Sequence, residues 1–201
     1  PYGIRDAALF TSGLLVEKIG GPSVKPYMPP GLWTSITEYS YEQDKGEALY
    51  RRSMYTYWRR TAPPPTMMTF NAAPREICIV RHGLTTTPLQ ALTLMNNITF
   101  VEAARFLAER MLTEGGATPG ERIAFAFRLV TSRRPTPQEV TELVQMLETF
   151  QSDFAMDPTT AEKLLTVGKR PVNQDLPATE LAAYALVANT IMNLDEAITL
   201  N

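Results

Sequence analysis

The 201-residue sequence predicts an all-α fold, a single irregular helical bundle with an extended strap near its N-terminus. Three observations point to this class. Helix-start patterns recur between residues 87 and 157, apolar residues behind them repeat at helical spacing, and the last long segment is apolar on nearly every side. We therefore expect one domain over residues 1–201, in which residues 98–201 form a helical scaffold.

The helix starts share one pattern, a threonine followed by proline and, three residues after the threonine, by glutamate or glutamine. Thr87, Thr118 and Thr136 begin complete versions of it, Thr99 begins a version without proline, and Asp157 begins a variant. The side-chain oxygen accepts a hydrogen bond from a helix N–H that otherwise has no partner, which contributes about 1 kcal/mol. Five helices are therefore predicted to begin at these residues.

Apolar stripes follow these starts at the spacing of one helix face. They comprise Val101, Ala104, Ala108 and Met111; Ile123, Ala126, Phe127 and Val130; and Val140, Leu143, Val144, Leu147, Phe150 and Phe154. A last helix is predicted from Glu180 to about Ile198. Because it is apolar nearly all round, we expect it to be central in the bundle.

The N-terminal part predicts one helix and then the strap. Residues 4–18 have amphipathic spacing, which indicates a helix. Residues 19–33 contain four prolines and three glycines, which exclude a helix or a central strand. Tyr27 and Trp33 are expected to fix this extended strap on the surface.

The central segment, residues 47–97, is rich in arginine and proline. Residues 47–60 predict a helix that ends before the three consecutive prolines at 63–65. Six arginines and two glutamates lie between residues 47 and 82, so this stretch carries +4 in a chain whose net charge is −2. Guanidinium forms planar, bidentate pairs and tolerates partial burial better than the ammonium group of lysine does.

Two uses of these arginines remain open. They can brace the fold by stacking on neighbouring aromatic rings and pairing with acids or helix carbonyls. They can also form a site for an anion or an acidic carbohydrate, which binds the ligand or acts as an enzyme. The residues of that candidate site are Arg52, Arg59, Arg75, Glu76, Arg81 and His82. His82 titrates near neutrality, but no nucleophile motif accompanies it, so no catalytic motif is identified.

A third use is nucleic-acid binding, with Tyr50, Tyr57 and Trp58 as stacking partners for bases. The acidity of the rest of the chain argues against it. The composition also limits the cofactors, since a single cysteine and a single histidine exclude an internal disulfide, a zinc centre and a c-type haem attachment. We expect no metal and no cofactor in this chain. No apolar run approaches 18 residues, so no membrane span is predicted.

Several longer stretches resemble one family. They are residues 18–24 (KIGGPSV), 29–33 (PPGLW), 50–61 (YRRSMYTYWRRT), 63–65 (PPP), 75–78 (REIC) and 87–92 (TPLQAL). In these motifs the chain resembles the planctomycete-type PSD domain of unknown function, the 1553 family. Residues 132–136 and 193–196 are similar to its later motifs.

The resemblance implies a context rather than a reaction. Such domains form the C-terminal portion of large secreted, cytochrome-associated proteins, so the chain is expected to be a fragment that works with upstream domains of the same polypeptide. Haem is expected elsewhere in the full-length protein, and the compartment is expected to be periplasmic or extracellular. The implied role is a non-catalytic or substrate-orienting module in the oxidation or breakdown of polysaccharides.

The chain departs from the family pattern at four polar positions. The family usually has an acid at Asn71 and at Asn97, arginine at His82 and asparagine at Thr86. Loss of two acids and an arginine predicts a rearranged polar network in the central segment.

Overall fold

The computed structural model describes residues 2–36, 40–74 and 85–199. Ten α-helices form in this part of the chain. They are α1 Tyr2–Thr11, α2 Leu32–Ile36, α3 Pro65–Thr69, α4 Pro88–Asn96, α5 Ile98–Glu114, α6 Pro119–Thr131, α7 Pro137–Met156, α8 Pro158–Leu165, α9 Ala178–Met192 and α10 Asp195–Ile198. The described ranges contain no strand, and the predicted all-α class is confirmed. None of their helices has the length and apolar character that a membrane crossing requires.

The chain divides into two compact units. The strap unit comprises Pro1–Asp6 and Leu15–Thr93, and the bundle unit comprises Ala7–Leu14 and Leu94–Asn201. The prediction of a single domain over residues 1–201 stays a prediction.

The bundle unit is organised around α9. This helix packs against α5, α6, α7 and α8, and residues from Leu181 to Met192 on all its sides are buried. Such burial follows from a sequence without a polar face. The predicted last helix is shorter than expected, because Leu194 is extended and a separate helix, α10, begins with Asp195. Two acidic residues in the first turn of α10 favour a new helix N-terminus there.

Four of the five predicted helix starts are confirmed. Thr118 and Thr136 form complete capping boxes, and Asp157 accepts a hydrogen bond from the backbone of Thr159. At α4, the Thr87 hydroxyl accepts from the Gln90 N–H, and the Gln90 amide oxygen accepts from the Thr87 N–H.

The predicted start at Thr99 is wrong. α5 begins at Ile98, and the side chain of Asn97 accepts a hydrogen bond from the Thr99 N–H. Glu102 does not reach back to the helix start, because its carboxylate accepts from the backbone N–H groups of Lys169 and Arg170. Asparagine is at least as good a helix cap as threonine, so Asn97 caps α5 in place of Thr99.

The strap unit contains little helix. Its strap contains no helix up to residue 31, but the backbone bends at Gly20 and Gly21 and turns at Gly31, where φ is positive, and α2 begins at Leu32, within the predicted strap. The strap pairs with the central segment, since Val24 accepts a hydrogen bond from Tyr57 and donates one to Tyr55. Trp33 is buried, with 5% of its surface exposed, in agreement with its predicted anchoring role. The helix predicted over residues 4–18 ends at Thr11, the last residue of α1. Gly13 follows it with a left-handed backbone, φ +77°, which is typical of the chain just after a helix end.

The predicted helix over residues 47–60 is wrong. Only two short 3-10 turns form there, Gly46–Tyr50 and Ser53–Tyr55. The carbonyl groups that a helix would use internally are bound by other parts of the unit, because Arg5 takes those of Leu49 and Arg51. A helix cannot propagate once these acceptors are taken by distant donors.

Candidate functional site

The structure describes two of the six residues of the predicted site. Arg52 forms an ion pair with Glu17 at 3.2 Å, and both side chains are substantially exposed. The guanidinium carbon of Arg59 lies 5.2 Å from the ring centroid of Trp33, and its Nε donates to Thr61 at 3.2 Å. Arg75, Glu76, Arg81 and His82 lie outside the described residues. The proposed convergence of all six on a ligand therefore stays a prediction.

Arg51 binds the strap. Its guanidinium donates to the carbonyl oxygens of Pro22 at 2.9 Å and Lys18 at 3.0 Å, and also to that of Gly20. The guanidinium carbon lies 3.8 Å from the ring centroid of Tyr55. With 6% of its surface exposed, Arg51 is held by backbone and aromatic contacts within its own unit. This is the internal use of arginine that the sequence left open.

Arg5 is a second buried arginine that binds backbone carbonyls of the strap unit. Its guanidinium donates to the carbonyl oxygens of Leu49 at 2.7 Å and Arg51 at 2.9 Å, and to the Ser53 hydroxyl at 3.2 Å. Burial lowers the pKa of Arg5 to about 10, against the favourable charge of Asp6. The side chain therefore stays protonated at neutral pH. The sequence analysis missed Arg5 because it lies more than forty residues away from the segment that it binds.

Two cations and two aromatic rings form what we call the aromatic–cationic row, which consists of Lys25, Tyr57, Trp33 and Arg59. The Lys25 ammonium lies 5.7 Å above the Tyr57 ring centroid, and the Tyr57 and Trp33 centroids are 5.8 Å apart. Arg59 lies over Trp33 at the other end. Tyr57 is 40% exposed, so the row presents to solvent an aromatic ring that has a lysine ammonium over it.

A second layer fixes the row. The Tyr41 ring meets Trp33 edge to face at 5.0 Å, and the Tyr41 hydroxyl donates to the Pro26 carbonyl at 2.6 Å. Burial and the nearby Asp44 carboxylate raise the pKa of Tyr41, which keeps that hydroxyl a donor. The Asp44 carboxylate also accepts from the Lys25 N–H at 2.7 Å, and the backbone N–H of Asp44 donates to the Lys25 carbonyl at 2.9 Å.

A separate polar cluster lies in the bundle unit. The fully buried Glu102 carboxylate accepts from the N–H groups of Lys169 at 2.7 Å and Arg170 at 2.9 Å. Arg105, one turn later on α5, donates to the carbonyls of Arg170 at 2.9 Å and Pro171 at 3.2 Å. These contacts fasten the loop between α8 and α9. The sequence analysis missed this cluster, and the signal that could have revealed it is a pair of charged residues, Glu102 and Arg105, on a helix that is otherwise largely buried.

Asn71 and Asn97, two of the positions at which a departure from the family pattern was expected, are described polar residues that shape the backbone. Asn71 adopts a left-handed conformation with φ +58°, which asparagine tolerates, and its amide donates to Thr85 at 2.6 Å. Asn97 caps α5, a role that an acid at this position would also perform. The predicted rearrangement of the polar network stays a prediction, and His82 lies outside the described residues.

The fold and these contacts define an all-α module whose proline-rich N-terminal unit is braced by buried guanidinium groups. Among the described residues, no group of three or more histidine, cysteine, aspartate or glutamate side chains is arranged to hold a metal ion. Comparison with protein families matches residues 2–147 to PSD1, described as a protein of unknown function (DUF1553). The chain belongs to this family, as its sequence motifs indicated. No curated protein and no solved structure matches the chain. The similarity at residues 193–196 lies beyond the matched range and stays a prediction.

Proposed function

We propose that this chain is a non-catalytic helical module that holds polysaccharide for a larger secreted, cytochrome-linked protein. In this proposal the upstream domains of the same polypeptide carry out the oxidation or breakdown, and any haem belongs to them. The periplasmic or extracellular setting and the cytochrome link rest on the family resemblance. The chain's own residues support the non-catalytic role.

The observation that carries this role is the use of Arg51. A guanidinium that binds a ligand must direct its N–H groups towards that ligand. Both terminal nitrogens of Arg51 instead bind strap carbonyls, and its face stacks on Tyr55. Arg5 is used in the same way. The two buried arginines of the strap unit thus stabilise its conformation, which leaves binding to the exposed side chains of the surface.

An activity assay on two proteins tests the proposal. We expect the isolated 201-residue chain to bind polysaccharide without cleaving or oxidising it, and the full-length protein to turn the same polymer over. Reducing-end release and consumption of an added electron acceptor measure the two reactions.

Turnover by the isolated chain would contradict the proposal. If that turnover disappeared in His82→Ala or Glu76→Gln, the enzymatic alternative at the predicted six-residue site would be correct. Arg134→Ala, which removes an exposed arginine of the bundle unit, is the control for general effects of charge loss.

A further inference from the structure

We propose that the aromatic–cationic row binds acidic polysaccharides, polymers whose sugars carry carboxylate or sulfate groups. This inference rests on the proposed function, because it assigns the ligand class and the surface through which the module holds polysaccharide. It concerns Lys25, Tyr57, Trp33 and Arg59, all of which belong to the strap unit.

The exposed ring of Tyr57 supplies the contact for the sugar. Tyr57 is 40% exposed, whereas Trp33 beside it is 5% exposed and holds it from within the unit. The negative face of an aromatic ring attracts the C–H bonds that line one side of a sugar ring. Because the Tyr57 ring packs on Trp33, which is itself held edge-on by Tyr41, binding orders few additional groups.

The two cations supply the selectivity for acidic groups. Lys25 lies over the exposed ring of Tyr57, and Arg59 lies over the neighbouring ring of Trp33. The Lys25 ammonium is 5.7 Å from the ring centroid, near the outer limit of about 6 Å for a cation–π contact. Its backbone is fixed by Asp44, but its long side chain can turn towards a carboxylate or sulfate. A sugar ring on Tyr57 would place its acidic substituents within reach of these charges.

The distribution of charge favours a sugar acid over a nucleic acid. The strap unit contains ten lysines and arginines against seven acidic residues, and the bundle unit contains nine against fourteen. Single-stranded nucleic acids require a positive groove that follows the backbone over several nucleotides. Two of the basic residues in the strap unit, Arg5 and Arg51, are buried on carbonyls and contribute little to such a groove. A short row of two cations and one exposed ring suits local contacts with an acidic sugar.

Binding to four defined polymers tests the proposal. Polygalacturonate presents carboxylates, heparin presents sulfates, dextran is neutral and polyuridylate is a nucleic acid. We expect the 201-residue chain to bind polygalacturonate or heparin in low salt, to lose most of this binding at 0.5 M NaCl, and to ignore dextran. Isothermal titration and affinity electrophoresis measure the affinities.

Matched variants locate the binding surface. Tyr57→Ala is expected to weaken binding about tenfold, in line with the loss of one stacked ring, and Tyr57→Phe to retain it. Lys25→Gln is expected to weaken binding severalfold and to reduce its salt dependence. Phe10→Ala and Lys163→Gln remove an exposed ring and an exposed cation of the bundle unit and should leave binding unchanged. Circular dichroism checks that each variant is folded.

The results separate this inference from the proposed function. Equal affinity for dextran, tighter binding of polyuridylate, or binding that Tyr57→Ala and Lys25→Gln leave intact would each overturn the assignment of the row and leave the holding role standing. Absence of binding to every polymer would contradict both the row and the holding role. None of these results produces turnover by the isolated chain, which is the outcome that contradicts the non-catalytic role.

Discussion

The strap unit and the bundle unit satisfy their backbone groups in different ways. In the bundle unit, helices pair their own N–H and C=O groups, and the helix ends are closed by local caps such as those at Thr118 and Thr136. In the strap unit, guanidinium groups bind carbonyls that lie far away in the sequence, as Arg5 does at Leu49. The comparison shows that arginine can replace regular secondary structure where prolines and glycines prevent it.

The largest expected effect is a loss of stability confined to the strap unit. Arg51→Ala leaves three strap carbonyls without their donor and removes the stacking on Tyr55, so we expect a loss of about 3–5 kcal/mol from the stability of that unit. Hydrogen exchange should show the loss of protection around residues 18–24 and 50–57, while helical circular dichroism is largely retained.

Arg52→Ala is the control for this experiment. The neighbouring Arg52 forms a half-exposed ion pair with Glu17, which predicts an effect below about 1 kcal/mol. If both variants behaved alike, or if Arg51→Ala unfolded the helices of the bundle unit equally, the contrast between the two units would be incorrect.

The next effect concerns a long-range contact within the bundle unit, between α5 and the loop that follows α8. Gly168 has φ +103°, and a Cβ atom there would lie 2.3 Å from the Glu102 carboxylate. Backbone strain and overpacking together predict that Gly168→Ala destabilises the bundle unit by about 2–4 kcal/mol. Thermal unfolding measures this change.

Gly120→Ala is the matched glycine control. Gly120 lies inside α6, and its added Cβ would meet Val140 at an ordinary contact distance of 3.5 Å. Alanine in a helix should stabilise by about 0.5–1 kcal/mol, so the two alanine variants should shift the melting temperature in opposite directions. A shift of the same sign for both would show that Gly168 has no special role.

A smaller effect tests the local caps. Thr136→Ala removes the acceptor for the Glu139 N–H and should cost about 1 kcal/mol, whereas Thr136→Ser should be nearly neutral. Urea unfolding followed by helical circular dichroism distinguishes the two variants. A loss of several kcal/mol would indicate that Thr136 does more than close the end of α7.

The smallest effect is a pH dependence at the same helix end. Hydrogen bonds from Arg133 and from the backbone of Thr136 lower the pKa of Glu139 to about 2 from its ordinary value of 4.5. A lowered folded-state pKa contributes stability above pH 4.5, and this contribution disappears as the pH falls from 4.5 towards 2. The difference in stability between the native chain and Glu139→Gln should therefore be constant above about pH 5 and shrink below it. A difference independent of pH would contradict this assignment.

The sequence predicted those features whose causes lie within a few residues of one another. A capping box needs only Thr118 and Glu121, so four consecutive residues of sequence are enough to predict it. The all-round apolar character of α9 likewise predicted its central position. The family could be identified because several of its sequence motifs occur in this chain in the same order.

Long-range contacts account for the errors. Residues 47–60 have helical spacing, but Arg5 and the strap bind their carbonyls, and no local pattern reveals a donor so distant. Thr99 resembles a cap, but Asn97 performs that role and Glu102 is used by the loop at residues 169–170. Of the aromatic–cationic row, the predicted site contained only Arg59, whereas Trp33 was predicted as a strap anchor and Tyr57 as a stacking partner for bases. Lys25 was missed because its position depends on Asp44, nineteen residues away.

The reach of Arg5 also sets an order for folding during synthesis. Its acceptors are the carbonyls of Leu49 and Arg51, so the first residues of this chain cannot settle until more than forty further residues have left the ribosome. Helices such as α6 have their backbone hydrogen-bond partners within thirteen residues of chain. The contacts of Arg5 therefore become possible only after a much longer stretch of synthesis than those inside α6.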